Sequence, residues 1–237
     1  MDAAMYKALS GAIAQARRLE VAAQDLANVN TSGYKGQRIA FSEVLANRFP
    51  VSERPGGLVA VGAQKTSLIQ GEIHATGNPF HLAVEGEGFF VVQTPRGERY
   101  TRNGSFTLKS DGTIISPNRD PLLGESGPIQ ITGGKMEVAA DGSVRSDEGE
   151  VGKLKIVRLK DSRQAVKEGA TLFSTAPTNV ELAPDVRVMQ GGLEQSNVSP
   201  IDGMVGLIAI QRQFEAYQRA MGLMDSATEK MIAAGAN

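Results

Sequence analysis

Cysteine is absent from this 237-residue chain, and so is tryptophan. The first absence excludes disulfides, thiolate catalysis and cysteine-ligated metal, and it leaves a secreted location open without oxidative folding. Histidine occurs only as His74 and His81, flanking Asn78-Pro79, with no carboxylate cluster at metal-ligand spacing. Such imidazoles are expected at exposed strand edges rather than as catalytic bases or metal ligands. An excess of either charge is also missing, since 25 Lys and Arg face 26 Asp and Glu. No global basic field is therefore available for counterion-release binding, and nucleic acid is not an expected partner. Long hydrophobic runs are lacking too. Met204 to Ile210 stops at Gln211-Arg212, far short of the roughly 20 residues that cross a bilayer, so membrane insertion is not expected. Ser10, Gln15, Arg17 and Arg18 interrupt the opening run, which is not expected to be a cleavable signal peptide.

Catalytic signatures are equally scarce. The chain has no Gly-x-Ser-x-Gly elbow, no His-Glu-x-x-His and no phosphate-binding Gly-x-x-x-x-Gly-Lys-Ser/Thr. Gly86-Glu87-Gly88 opens like a dinucleotide loop, but Phe89-Phe90 and a strand follow where a third glycine and a helix should stand. No catalytic residue, metal ligand or cofactor site emerges, and the chain is not expected to be an enzyme.

What is present is organised around two long helical runs. In the C-terminal one, Leu207, Ile210, Phe214, Tyr217, Met221, Met224, Thr228 and Met231 fall at alternating steps of three and four, the a/d spacing of a seam for another helix. In the N-terminal one, Met5, Leu9, Ala12, Ala16, Leu19, Ala23 and Leu26 repeat the pattern with small residues. Two seams at opposite ends of the chain predict that the termini meet. Asp2 is the expected cap of the first helix, which should stop near Asn28 at Asn28-Val29-Asn30-Thr31-Ser32-Gly33. Ser199-Pro200-Ile201-Asp202 is a capping pattern for the last helix, with Gly235 expected just past its end.

Between the helices the period changes. Residues 34–70 read as a connector: Phe41, Val44 and Leu45 hint at a helical turn, and Pro50, Pro55-Gly56-Gly57 and Gly62 punctuate extended pieces. From Ile73 to about Met189 the signal is β, with Phe80, Leu82 and Val84 alternating and Phe89-Phe90-Val91-Val92 suited to a buried strand. Pro95-Arg96-Gly97, Asn103-Gly104, Asp111-Gly112 and Asp141-Gly142 are expected to supply positive-φ hairpin turns. Gly191-Gly192 reads as a flexible break. The fold class expected is α+β, with long terminal helices pairing as a coiled coil around a mostly antiparallel β domain. Its segments are residues 1–30 (helix), 31–72 (extended connector), 73–190 (β domain) and 191–237 (hinge and helix). Lys153, Lys155, Arg158, Lys160, Arg163 and Lys167 gather in one stretch; by default this is a solvated face, and the sharper reading is contact with an acidic polymer or a neighbouring subunit. A secreted adhesin or other β-domain binding module would fit the middle of the chain but leaves two matched seams unexplained.

Particular residue runs carry a resemblance. Leu26-Ala27-Asn28-Val29-Asn30-Thr31-Ser32-Gly33-Tyr34-Lys35 resembles the N-terminal signature of the bacterial flagellar rod and hook family, and Gly192-Leu193-Glu194-Gln195-Ser196-Asn197-Val198 its C-terminal one. Gly77 to Phe90 and Tyr100 to Phe106 resemble the family's central β region. Within the family, Pro121 to Ile129 and the opening Met1 to Gly11 look most like proximal rod subunits, with distal rod subunits as the alternative; His81 and Arg119-Asp120 depart from the pattern. The resemblance implies a structural subunit of the flagellar basal-body rod, polymerising into a helical drive shaft that transmits torque. It further implies export through the flagellar type III apparatus, a place in the periplasm, and partners that are copies of itself and other rod subunits. The terminal helices would form an inner coiled-coil layer, and no cofactor is implied.

Overall fold

The computed structural model describes residues 2–44 and 58–235. Helix α1 spans Asp2–Ala27 and helix α2 spans Pro200–Gly235. Asp2 is itself helical rather than a cap, and α2 takes in Gly235. The start of α2 is held as its sequence predicts. Ser199 Oγ accepts from the Asp202 amide at 3.3 Å and the Ser199 carbonyl accepts from Gly203 at 2.9 Å. The Asp202 amide, which lacks a helical partner, is thereby satisfied by the cap side chain, the Gly203 amide makes the first helical bond, and Asp202 sits at the positive end of the helix dipole. Among the described residues, no helix is long and apolar enough to cross a membrane.

Two compact units divide the chain: residues 1–27, 37–65 and 199–237 form a helical unit, and residues 28–36 and 66–198 form a β unit. In the helical unit, a Cβ on Gly11 would lie 2.6 Å from the Tyr217 ring, while Ile210 shares a hollow with Arg18, Val21, Ala22 and Asp25. Early α1 thus meets late α2, and late α1 meets early α2. The helices pack as an antiparallel pair. Strands β1 (Gln37–Val44) and β2 (Leu58–Thr66) make a two-stranded sheet in the same unit. The expected helical turn at Phe41 and Val44 is instead strand β1, because Ile39 and Phe41 sit two apart in a run whose local period is that of a strand. Leu45, Pro50 and Pro55-Gly56-Gly57 lie outside the described residues. The Asp25 carboxylate ties the entry of β1 to α1, accepting from the Gln37 amide at 3.1 and 3.2 Å.

The β unit opens with β3 (Ile73–Ala75), β4 (Leu82–Glu85), β5 (Phe89–Thr94) and β6 (Gly97–Thr101). Four two-residue strands follow: β7 (Thr107–Leu108), β8 (Ile114–Ile115), β9 (Leu123–Gly124) and β10 (Gly127–Pro128). Next come β11 (Met136–Val138), β12 (Ser143–Ser146), β13 (Gly149–Lys153) and β14 (Ile156–Leu159). The unit closes with β15 (Val166–Glu168), β16 (Leu172–Ser174), β17 (Val180–Leu182), β18 (Arg187–Gln190) and β19 (Gly192–Glu194). The principal sheet runs β15-β16-β6-β5-β14-β17, and the pairings whose register is defined are antiparallel. β5 is buried on both faces. Phe90 and Val92 enter one core with Phe106, Ile114 and Leu122, whereas Phe89 and Val91 enter a second with Tyr100, Val157 and Phe173. That is why Phe89 to Val92 reads as a continuous apolar run and not an alternating one. Edge-to-face ring pairs hold each core, Phe90 with Phe106 at 5.3 Å and Phe89 with Phe173 at 5.7 Å.

Gly97, Gly112 and Gly142 take positive φ at their turns, as expected. Gly104 does not; a Cβ there would collide with the Leu82 carbonyl, which accepts no such approach, so glycine is required for backbone contact rather than for a hairpin. Arg119 takes φ 68 in the Ser116 to Asp120 turn, where its amide donates to the Ser116 carbonyl at 2.8 Å. Gly192, the second residue of the Gly191-Gly192 pair expected to be a flexible break, instead opens the buried strand Gly192–Glu194, paired with β3.

Two turn carboxylates make the unit sensitive to acid. The Lys109 ammonium, with the Thr113 amide, holds Asp111 at about 2, and Arg163 holds Asp161, which caps the short 3-10 turn at Ser162–Gln164, at about 2. Both values are depressed from 3.8, so each contribution is complete above the unfolded value and lost as pH falls through the folded one. The urea midpoint is expected to drop between about pH 4 and pH 2, and an Asp111→Asn/Asp161→Asn double variant should show a shallower drop.

Candidate functional site

The two signature segments, far apart in sequence, meet inside the β unit. The first is a pair of successive turns: Thr31 N donates to the Asn28 carbonyl at 3.0 Å, and Tyr34 N donates to the Thr31 carbonyl at 3.1 Å. Asn28 and Thr31 also bond through their side chains at 3.3 Å. Gly33 follows with φ 68, a left-handed conformation costly for any residue with a Cβ. Its amide donates to the Glu194 carbonyl at 2.7 Å. Gly33 also lies where a Cβ would overlap the backbone of Arg102 and Asn103. Asn30 is exposed and Ser32 half-buried.

Tyr34 and Lys35 are then driven fully into the interior. Lys35 Nζ bonds Glu194 Oε1 at 2.5 Å and the Ile69 carbonyl at 2.7 Å. Arg102 Nη1 reaches Glu194 Oε2 at 3.2 Å and the Val84 carbonyl at 3.2 Å, while Nη2 donates to the Gly86 carbonyl at 2.5 Å. The Gly71 amide completes the shell of Glu194 at 2.9 Å. Glu194 and Lys35 have no exposed side-chain surface and Arg102 has 3%. Burial pushes Lys35 and Arg102 below their ordinary values, and the Glu194 carboxylate pulls both back up. Arg102 also lies over the Phe89 ring at 5.1 Å. Two buried cations therefore share one buried carboxylate, in a shell of main-chain bonds.

The remaining signature residues surround this cluster. Asn197 Oδ1 accepts from the Gly36 amide at 2.8 Å, and its Nδ2 donates to the Ser67 and Ile69 carbonyls, each at 2.9 Å. Ser196 Oγ accepts from Val198 at 3.2 Å. Gly192 and Leu193 are buried in β19, whose register with β3 carries Glu194 inward. This is why the segment is a strand and not a hinge: releasing it would leave Lys35 and Arg102 unpaired in the interior. Lys167 closes the outside, its Nζ 3.5 Å from the Tyr34 ring centroid and 2.7 Å from the Lys35 carbonyl.

In the helical unit, Leu207, Ile210, Phe214, Tyr217, Met221 and Met224 are all half-buried on one face of α2. The side chains of Thr228 and Met231 lie outside the described residues. On α1, Ala12 is buried and Leu19 and Leu26 half-buried, whereas Met5, Leu9, Ala16 and Ala23 are exposed; Ala8, Gly11, Ala14 and Val21 are also buried. Gly11 admits the Tyr217 ring. Apolar side chains left outside the pair include Tyr6, Ile13, Ile201, Val205 and Leu223.

Arg102, Gly71 and Lys167 were not legible as site residues. Arg102 is 92 residues from Glu194, and Lys35 is 159 from it, so no spacing rule connects them. The one available signal was the placement of Arg102 within the Tyr100 to Phe106 run. The basic stretch disperses into separate contacts: Lys155 with Glu98 at 2.6 Å, Arg158 with Asp185 at 2.8 Å and Arg163 with Asp161 at 2.9 Å. Of the two histidines, His74 is exposed, and His81 is half-buried with its ring bonded to Thr76 and Asn78 at 2.8 and 3.3 Å. Among the described residues, no group of three or more His, Asp or Glu side chains converges on a metal-sized position.

Comparison with known proteins matches three successive parts of the chain. Residues 5–35 match the family model described as "Flagella basal body rod protein", residues 83–146 the "Flagellar hook protein FlgE/F/G D1 domain", and residues 189–234 the "Flagellar basal body rod FlgEFG protein C-terminal". Paired terminal helices and, between them in the sequence, a mostly antiparallel β unit define the class of flagellar rod and hook proteins. Among relatives, the flagellar basal-body rod protein FlgF of Caulobacter vibrioides is 34% identical over 97% of this chain and 95% of its own. FlgF of Mesorhizobium japonicum is 31% identical over 98% and 97%. The rod protein FlgG of Borreliella burgdorferi is 29% identical over 95% and 96%. The chain belongs to the flagellar basal-body rod protein family.

Proposed function

We propose that this chain is the proximal rod subunit of the flagellar basal body, a structural and non-catalytic protein that polymerises into a helical drive shaft. The observation that carries it is full-length similarity to proteins named FlgF at 31% and 34% identity, against 29% for FlgG. Its partners are copies of itself and other rod subunits, its route is the flagellar type III export apparatus, and its place is the periplasmic part of the basal body. Terminal segments 1–30 and 191–237 serve polymerisation, while 31–72 and 73–190 make contacts to adjacent subunits. The face of α2 from Leu207 to Met224 supports the reading physically. It is only half-covered within one chain, and further burial by neighbouring helices would be favourable. A heterologous contact that does not close on itself builds a helical shaft.

The test places a charge in that seam. Met221→Asp and Leu207→Asp are each expected to block incorporation into basal bodies in the bacterium of origin, because an unpaired carboxylate would be buried on assembly. The β unit should keep its near-ultraviolet spectrum. Normal motility with both variants would overturn the assignment of the seam.

A further inference from the structure

One cavity of the β unit, about 560 Å³, has Arg102 of the ion cluster in its wall. Leu68, Ile69, Phe89 and Leu159 supply its apolar lining, and Arg102, Arg158 and Lys160 its cations. Arg102 is 3% exposed, and its Nε has no hydrogen-bond partner. Glu87 is the one carboxylate in the lining, and Asp185, Glu181 and Glu194 stand next to it. Glu87 stands at the rim with its side chain 89% exposed, Asp185 is committed to Arg158, and Glu194 is shared between Lys35 and Arg102. Of the side chains that line the cavity, three are cations, Arg102, Arg158 and Lys160, and one is a carboxylate, Glu87, while Glu194, Asp185 and Glu181 next to the lining offset Arg102 and Arg158 and leave Lys160 as the cation with no ion pair among the described residues. Where water is partly excluded, such a cation attracts an arriving anion more strongly than it would in bulk solvent. Apolar walls further favour a carboxylate carried on a hydrocarbon stem over a small inorganic ion.

The same chain carries a segment of that chemistry. β12 and β13 are joined by the turn Asp147-Glu148, and Glu150 follows in β13. All three carboxylates are exposed, and none makes an ion pair among the described residues. Arg145, opposite Glu150 in the ladder, is the nearest offset in register, so the tip remains acidic. Asp147 lies against Gly133, which does not line the cavity, and β13 and β14 carry the chain from the tip to Arg158 and Lys160. Tip and cavity are separate patches of one β unit, opposite in charge.

We propose that the acidic hairpin tip Asp147 to Glu150 of one copy docks in the Arg102–Lys160 cavity of a second copy. The contact uses different patches on the two partners, so it is heterologous and can repeat from copy to copy along a helical assembly. This inference rests on the rod-subunit reading and gives the β unit its own contact, additional to the helix seam.

The absence of native cysteine makes the test specific. Full-length Glu148→Cys chain is mixed with full-length Lys160→Cys chain at high concentration under a mild oxidant. A disulfide-linked dimer is expected at several times the yield of a Glu148→Cys and Asn118→Cys control mixture, Asn118 being an exposed position elsewhere on the unit. Lys160→Glu is expected to weaken self-association about tenfold, and a Glu148→Lys partner to restore it. The same cross-link preference is expected in a Met221→Asp background, where the seam is broken, so failure of the seam reading leaves this result standing. A yield no higher than the control, or charge reversal without effect, would overturn the docking.

Discussion

Glu194→Ala is expected to cost the β unit about 3–5 kcal/mol, enough to unfold a large fraction of it. Among the described ion pairs the Glu194 carboxylate is the one partner of both Lys35 and Arg102, and its removal strands two buried cations. Glu194→Gln should be milder but still severe, since Lys35 and Arg102 bond different carboxylate oxygens, and the amide keeps one acceptor atom, turns an NH2 donor towards the other cation and carries no charge. Replacing the partners together tests the cause. A Lys35→Met/Glu194→Gln variant should lose less than the sum of the single losses, because the second change no longer leaves Lys35 uncompensated. Urea unfolding of the full chain, followed by near-ultraviolet circular dichroism, reads all three. A loss below about 1 kcal/mol for Glu194→Ala would show that the cluster is not what joins the two signature segments.

Gly33→Ala is expected to cost about 3 kcal/mol through two separate mechanisms. The left-handed φ of 68 is unfavourable for alanine by about 1–2 kcal/mol. Its Cβ would also fall on the main chain of Arg102 and Asn103, which cannot move aside without breaking the Arg102 bonds to Val84, Gly86 and Glu194. By contrast, Gly77→Ala carries a similar φ of 72 but meets nothing within 4 Å, so it should show the conformational penalty alone. The difference between the two, measured by the same unfolding experiment, isolates the steric part. Equal losses would remove the close approach as the reason for glycine in the first signature.

Both results concern contacts that no window of the chain displays. The start of α2 was legible because every group that makes it, from Ser199 to Asp202, lies within four residues and acts on its own first turn. Turn glycines 97, 112 and 142 were legible for the same reason, since a hairpin imposes its backbone conformation locally. Gly104 was misread because its need for a missing side chain comes from Leu82, across a different strand connection. In α1 the stripe read from Met5 to Leu26 differs from the face covered within the chain, which takes in Ala8, Gly11, Ala12, Ala14 and Val21, because alanines at many positions leave several stripes equally small and the covered one is set by where Tyr217 fits over Gly11. The six half-buried residues on α2 were easier, being large side chains spaced at threes and fours.

From the sequence alone come two terminal helices, the capped start of α2, a β region between them, and signature segments that place the chain among flagellar rod proteins. Each of these is written in short-range periodicity, capping chemistry or contiguous residue runs. Tertiary structure alone decided that Gly192–Glu194 is a buried strand, that Arg102 joins Lys35 on one carboxylate, and that β1 and β2 belong with the helices. Whether a charge can be buried depends on partners brought from 92 and 159 residues away. Such pairing becomes favourable only after the chain between them has folded.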